Sequence, residues 1–158
     1  MEPRIVQLEK LILVGRPYYG DANDNKFAKA WERFGNLEKE VSHRLNPMVG
    51  FGVEIYGPEF QTEHQWTYFP SVQVSQIDDV PALLFAKTLP SATYAVFTAK
   101  GGIPKLGDTF MYAYMTWLPA SAYEVAFPFD FEYYDERFKD NDPDSEVDIY
   151  IPVKPKAA

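Results

Sequence analysis

Apolar and polar positions change their period several times along the chain, and each change marks an element. From Ile5 the pattern is mixed until the run Leu11-Ile12-Leu13-Val14, which predicts a strand over 5–14 stopped by Gly15 and Pro17. Asp21, Asn23, Asp24 and Asn25 make a polar turn suited to capping a helix. Phe27, Ala30, Trp31, Phe34, Leu37, Val41 and Leu45 then recur at helical spacing, which predicts an amphipathic helix closed by Asn46-Pro47. Gly35 inside that helix costs ~1 kcal/mol relative to Ala.

Strands are predicted over 49–56, closed by Gly57-Pro58, and over 66–75, where Val72 and Val74 share a face opposite Gln73. A polar loop over 59–65 separates them. A turn over 77–81 leads to a short apolar strand over 82–88. The order then restarts with a strand over 93–98 and a Gly101-Gly102 turn, after which Pro104 suits a first helical turn. Leu106, Phe110, Ala113, Tyr114, Trp117 and Leu118 mark a second helix ended by Pro119. A strand over 129–134, a charged loop over 135–145 and a last strand over 146–153 follow.

Strand, helix, strand, strand thus occurs twice, which predicts one α+β domain over 1–158 with pseudo-repeats of about 1–88 and 89–158. The geometry implied is an antiparallel sheet carrying two main helices with a central cleft between the halves. Two stretches occupy matching places, Val53-Glu54-Ile55-Tyr56 and Phe131-Glu132-Tyr133-Tyr134. Residues two apart on a strand share a face, so Glu54 pairs with Tyr56 and Glu132 with Tyr134. An ionised carboxylate among apolar side chains is costly unless it is paired, protonated or matched by a ligand.

Composition narrows the functions. Lys and Arg number 15 against 23 Asp and Glu, a net charge of −8 that argues against duplex binding and mildly favours cationic ligands. Aromatic residues make up 16%, enough for a dense core or an aromatic-lined pocket. The absence of Cys excludes disulfides, thiolate catalysis and Cys-ligated metal sites. Met1-Glu2-Pro3-Arg4 lacks the apolar stretch of a signal peptide, and no apolar run approaches the ~20 residues of a membrane helix. A cytoplasmic protein with no cofactor, no metal and no membrane association is expected.

Candidate chemistry centres on the carboxylates. On pattern alone Glu132 and Glu54 each read as a solvent-facing strand acid or as a pocket acid. Tyr112, Tyr114 and Trp117 read as core packing or as a cleft wall, since Tyr and Trp carry polar tips. Tyr56, Trp66 and Tyr68 flank the first carboxylate strand and are candidates for the opposite wall, while Trp31 and Phe34 read as core. His43 and His64 fall at polar positions, and Asp140-Asn141-Asp142-Pro143-Asp144 lacks the spacing and glycine of a calcium loop.

Tyr94-Ala95-Val96-Phe97, Lys100-Gly101, the helix 106–118, Phe131-Glu132-Tyr133-Tyr134 and Glu146-Val147-Asp148-Ile149-Tyr150-Ile151-Pro152 together resemble the gyrase-inhibitor-like (GyrI-like) effector-binding domain. The same domain is found in AraC-type and MerR-type multidrug regulators, and the resemblance covers nearly the whole chain. It implies an aromatic pocket for varied, often cationic, lipophilic compounds, with Glu132 as the pocket acid and Tyr134 and Tyr150 as the best tyrosine candidates. The expected ligand-binding set is Glu132, Tyr134, Tyr150, Glu54, Tyr56, Trp66, Tyr112 and Trp117. No part of these residues resembles the regulators' DNA-binding region, so a stand-alone small-molecule binder without direct nucleic-acid contact is expected. The alternatives are a hydrolase of reactive drug-like compounds, with Glu132 and Tyr134 or Tyr150 guiding water, and a protein that inhibits gyrase by contact.

Overall fold

Two connections of two residues each decide the shape of the sheet. A computed structural model describes residues 1–158. β1 (Arg4–Leu8) passes into β2 (Leu11–Gly15) through Glu9 and Lys10, and β6 (Phe85–Leu89) passes into β7 (Ala92–Lys100) through Pro90 and Ser91. Yet the antiparallel order is β1-β7-β10-β9-β4-β5-β2-β6, so each connection joins opposite ends of a ten-stranded sheet. Such a link reaches only roughly 10 Å. The sheet must therefore curl until its ends approach.

Curling gives the sheet an enclosed inner face and an outer face. Leu13, Phe51, Val53, Phe69, Tyr94 and Phe131 fill the inner face. On the outer face α1 (Lys26–Gly35) lays Phe34 over Val14, Val72 and Val74. A second helical segment covers Ala95, Phe97, Ile149 and Ile151. It comprises α3 (Leu106–Tyr112), a π-helical stretch (Ala113–Trp117) and α4 (Leu118–Ala120).

The central pair is β4 (Gly50–Ile55) against β9 (Phe129–Tyr134), in a register that sets Val53 opposite Phe131, Gly52 opposite Glu132 and Glu54 opposite Asp130. Outward from this pair the order is β5 (Trp66–Gln73) and β2 on one side, β10 (Glu146–Pro155) and β7 on the other. The two sides match, each with its own helix. Between the helices, the outer face of the central pair presents Gly52, Glu54, Asp130 and Glu132 instead of large apolar side chains.

Several elements differ from the sequence expectation. The strand expected over 5–14 breaks at Glu9-Lys10, and its parts pair at opposite ends of the sheet. The first helix ends at Gly35, not Leu45. Gly35 and Asn36 are weak helix formers, and the chain continues through a 3-10 turn at Glu38–Glu40. Arg44 then holds a non-helical course, with bonds to the Pro47 and Val49 carbonyls and an ion pair to Glu38 at 2.7 Å. Leu37 and Val41 still pack beneath α1, whereas Leu45 is 54% exposed. The loop expected over 59–65 contains α2 (Glu59–Glu63), and the strand expected over 82–88 begins at Phe85. Short strands β3 (Tyr18–Gly20) and β8 (Tyr123–Val125) are additional. Pro119 sits within the last helical turn, because the wider π turn before it relaxes the ladder that a proline ring otherwise breaks. No helix is long and apolar enough to cross a membrane.

The 135–145 loop is tied down from beneath. Buried Asp148 accepts hydrogen bonds from Arg4 (3.0 Å), Arg137 (2.8 Å) and Thr98 (2.6 Å), and Arg137 also grips Asp135 at 2.8 Å. Asp148→Asn removes the charge that both guanidiniums share. Stability is expected to fall by ~1–3 kcal/mol, as for lost bonds between charged groups. Urea unfolding of the variant and the parent measures it; an unchanged midpoint refutes the anchoring role.

Candidate functional site

Alternation along β4 and β9 places Glu54, Asp130, Glu132 and Tyr134 on the outer face, beneath the gap between the helices. The three acids are buried, at 7%, 0% and 5% exposure, and none forms an ion pair with a Lys or Arg. Hydroxyl and indole donors take the place of cations. Glu132 Oε2 accepts from the Tyr134 hydroxyl at 2.5 Å and the Tyr68 hydroxyl at 2.8 Å. Trp31 Nε1 on α1 donates to the Tyr68 hydroxyl at 2.8 Å, extending the network to the helix. Glu54 Oε2 accepts from Trp66 Nε1 at 2.8 Å and Tyr56 at 3.3 Å. Asp130 Oδ2 accepts from Tyr114 at 2.6 Å and Tyr56 at 3.0 Å.

Burial is the main force on the charges. It raises the Glu54 carboxyl well above the usual range, reinforced by Asp130 and Glu132 and opposed by the Trp66 donor. Asp130 is pushed up to about 7 by burial, against the pull of the Tyr114 and Tyr56 hydroxyls. Glu132 is also raised by burial, with Tyr134, Tyr68 and Glu54 as donors that favour its ionised form. The mutual influence of Glu54 and Glu132 favours the proton on Glu54 and the charge on Glu132. Burial and the adjoining acids raise the Tyr68, Tyr114 and Tyr134 hydroxyls well above their ordinary value, so they stay protonated donors. The acids do not converge in a way that holds a metal ion.

A cavity of about 570 Å³ opens onto Glu132. Phe27 and Trp31 on α1, Tyr134 and Phe138 on the opposite side, Met48 and Val49, Ile103 just before α3 and Leu106 at its start form its apolar walls. Phe27 stacks on Tyr68 at 3.9 Å, and Trp31 meets Tyr134 edge-on at 5.5 Å.

The two halves of the site correspond but are not equivalent. Glu54, Tyr56 and Phe60 lie at the same intervals as Glu132, Tyr134 and Phe138. Tyr56 packs on Phe60 at 4.7 Å and Tyr134 on Phe138 at 4.9 Å. Across the strands Glu132 faces Gly52, where a Cβ would lie 2.4 Å from the Tyr68 hydroxyl and 2.8 Å from Glu132 Oε2. Glu54 instead faces Asp130, and Trp66 packs against Phe60 at 5.3 Å. The half around Glu132 therefore has room beside its acid for the Tyr68 hydroxyl, while the half around Glu54 is filled.

Of the residues singled out from sequence, Glu132 and Tyr134 line the cavity. Glu54, Tyr56 and Trp66 lie in the adjoining filled half, joined to it by hydrogen bonds. The structure does not bring the other three to the acids. Trp117 and Tyr112 pack edge-on against Phe97, at 5.4 and 6.3 Å, beneath the second helical segment. Tyr150 lies on the inner face, stacked on Phe131 at 4.6 Å, because its register puts it opposite Phe131 and not beside Glu132. Sequence reasoning missed Asp130, although Asp130 and Glu132 are two apart on one strand. It also assigned Trp31 to the core and left Tyr68 and Tyr114 undecided.

The fold agrees with comparisons to known proteins. The family model for integron-associated effector binding proteins (Cass2) matches residues 4–153. The transcriptional regulator BrlR of Pseudomonas aeruginosa is 34% identical over 154 residues, covering 97% of this chain. The chain spans about half the length of that regulator, 56%. Among solved structures, SAV2435 bound to tetraphenylphosphonium superposes with a TM-score of 0.73 at 24% identity, covering 98% of this chain and 94% of that one. The C-terminal domain of EcmrR superposes with a TM-score of 0.78 at 14% identity, covering 98% of both chains. The chain belongs to the integron-associated effector binding protein family, within the GyrI-like effector-binding domains.

Proposed function

We propose that this protein binds lipophilic cations in the cavity between α1 and the 135–145 loop, with Glu132 as their counter-charge. The observation that carries this reading is a buried carboxylate without a cationic partner at the floor of an aromatic cavity. A ligand cation supplies the missing partner. Phe27, Trp31, Tyr134 and Phe138 add apolar and cation–π contacts of ~0.5–2 kcal/mol each. The lining also includes Glu38, Asp135 and Asp140 against a single guanidinium, Arg44, which is engaged with Glu38. That balance selects the sign of the ligand, while stacking on rings tolerates different shapes. The tetraphenylphosphonium bound to SAV2435 belongs to this chemical class.

A hydrolase reading rests on the same pair. Glu132 is desolvated and its carboxyl raised, with the Tyr134 hydroxyl 2.5 Å away, the type of group that serves as a general base toward water. Incubation with a reactive electrophilic compound and mass analysis of what is recovered separates the readings. Unchanged compound supports the binder, and a hydrated product supports the enzyme.

Titration with tetraphenylphosphonium, followed by quenching of Trp31, tests the counter-charge. Glu132→Gln is expected to weaken binding about 10- to 100-fold, the loss of a charge-assisted contact of ~1–3 kcal/mol. Its stability should stay within ~1 kcal/mol of the parent, since the buried charge is itself costly. Glu54→Gln should weaken binding less. Equal affinity of the parent for cationic and neutral analogues would sink the assignment.

Gly52→Ala tests the room beside Glu132. The added methyl group overlaps the Tyr68 hydroxyl and the Glu132 carboxylate. The variant is expected to lose ~1–3 kcal/mol of stability through overpacking and to bind the cation more weakly. A thermal melt and the same titration check both; parental behaviour in each refutes the fit.

A further inference from the structure

Glu132 is the open end of a longer chain of acids. Glu54 is its diagonal neighbour across the β4–β9 seam, and Glu54 shares the Tyr56 hydroxyl with Asp130, at 3.3 and 3.0 Å. Glu132 alone lines the cavity; Glu54 and Asp130 lie in the filled half. Every element packed against the chain contributes a neutral group. Tyr134 on β9 and Tyr68 on β5 face Glu132, and Ile149 on β10 lies opposite it. Trp66 on β5 and Tyr56 beyond β4 face Glu54, and Tyr114 on the π turn faces Asp130. α1 sends only Trp31, which stops at the Tyr68 hydroxyl. The charged groups at the cavity lining are Glu38, Arg44, Asp135 and Asp140.

We propose that Glu132, Glu54 and Asp130 act as one site that exchanges a proton for a cationic ligand, with Asp130 setting how strongly cation affinity depends on pH. This rests on the cation-binding reading above. Carboxyl groups linked this closely in a buried space do not all ionise without a cation. Asp130 Oδ1 is buried with no hydrogen-bond partner, which disfavours its ionised form. A cation over Glu132 brings one positive charge into the same low-dielectric space and removes the penalty on a further negative charge. One proton then leaves the chain for solvent. A positive charge enters as another departs, so the net charge of the protein with its contents is unchanged.

The sign follows from the carboxyls being held protonated by burial. Burial pushes Asp130 up to about 7 and raises Glu54 and Glu132 as well, so at lower pH a proton occupies this group of acids and competes with the ligand. As pH rises the competition ends and cation affinity increases, by at most about tenfold per pH unit for one proton released.

The test is calorimetric titration of the parent and Asp130→Asn with tetraphenylphosphonium near pH 7, in phosphate and in Tris, whose ionisation heats differ. Tryptophan quenching over a range of about pH 5.5 to 8 supplies the affinity profile. The parent is expected to release ~0.5–1 proton on binding and to bind several-fold tighter per pH unit. Neutral triphenylphosphine oxide should show no such dependence, and Asp130→Asn should bind the cation with a flattened profile and little release. Should circular dichroism show Asp130→Asn unfolded, Glu54→Gln is held to the same criterion. Binding without proton release in the parent, or undiminished release in the folded variant, overturns the exchange and leaves the cation reading standing. Failure of the parent to bind the cation overturns both.

Discussion

Three carboxyl groups without a cation, at the seam between β4 and β9, are the constraint on which the rest of the site depends. Removing such groups from water is affordable only when their acceptor oxygens are matched by donors. Here the donors are Tyr134, Tyr68, Tyr56, Tyr114 and Trp66. Each is an aromatic side chain with a polar tip, so one residue type satisfies the acid and builds the apolar wall. That explains why this region uses Tyr and Trp where an ordinary core would use Leu or Phe.

The inequality of the two halves follows from one register. Because Val53 stands opposite Phe131, Glu132 receives Gly52 as its cross-strand neighbour and Glu54 receives Asp130. A residue without a side chain leaves room for the Tyr68 hydroxyl at the acid. A residue with a carboxyl fills that room and demands donors of its own, supplied by Tyr56 and by Tyr114 from the second helical segment. One difference across a pseudo-symmetric seam thus lets the Tyr68 hydroxyl reach the acid in one half and sets a second carboxyl beside the acid in the other.

Much of this was legible in the sequence, and what was not has definite causes. Alternation gave each end of β4, β5, β9 and β10 to within two residues, and the two-residue spacing rightly put Glu132 with Tyr134 and Glu54 with Tyr56. The first helix was overextended because Leu37 and Val41 are half-buried at helical spacing although the chain there is no longer helical. The face of Tyr150 could not be read from β10. Both sides of that strand are covered, so the alternation of Val147, Ile149 and Ile151 with Asp148 and Tyr150 does not tell which set shares a face with Glu132; the register does. The curl itself depends on Glu9-Lys10 and Pro90-Ser91 joining opposite ends of the sheet, which is a matter of pairing and not of local pattern. Asp130 was legible: Phe129-Asp130-Phe131-Glu132 alternates ring and acid, and that pattern already implies two acids on one face.

The π turn in the second helical segment completes the logic of the filled half. A π turn inserts one extra residue per turn and costs hydrogen-bond geometry, so its persistence needs a return from elsewhere. Tyr114 lies within that turn and reaches down to Asp130 at 2.6 Å, while Ala113 beside it is wholly buried against the sheet. The same widening accommodates Pro119 a few residues on. The irregular backbone of the helix and the buried acid on the sheet therefore support one another. Asp130 without the Tyr114 donor would be left with the Tyr56 bond alone. Any change in the charge on Asp130 acts directly on a hydrogen bond that ties this helical segment to the central strands of the site.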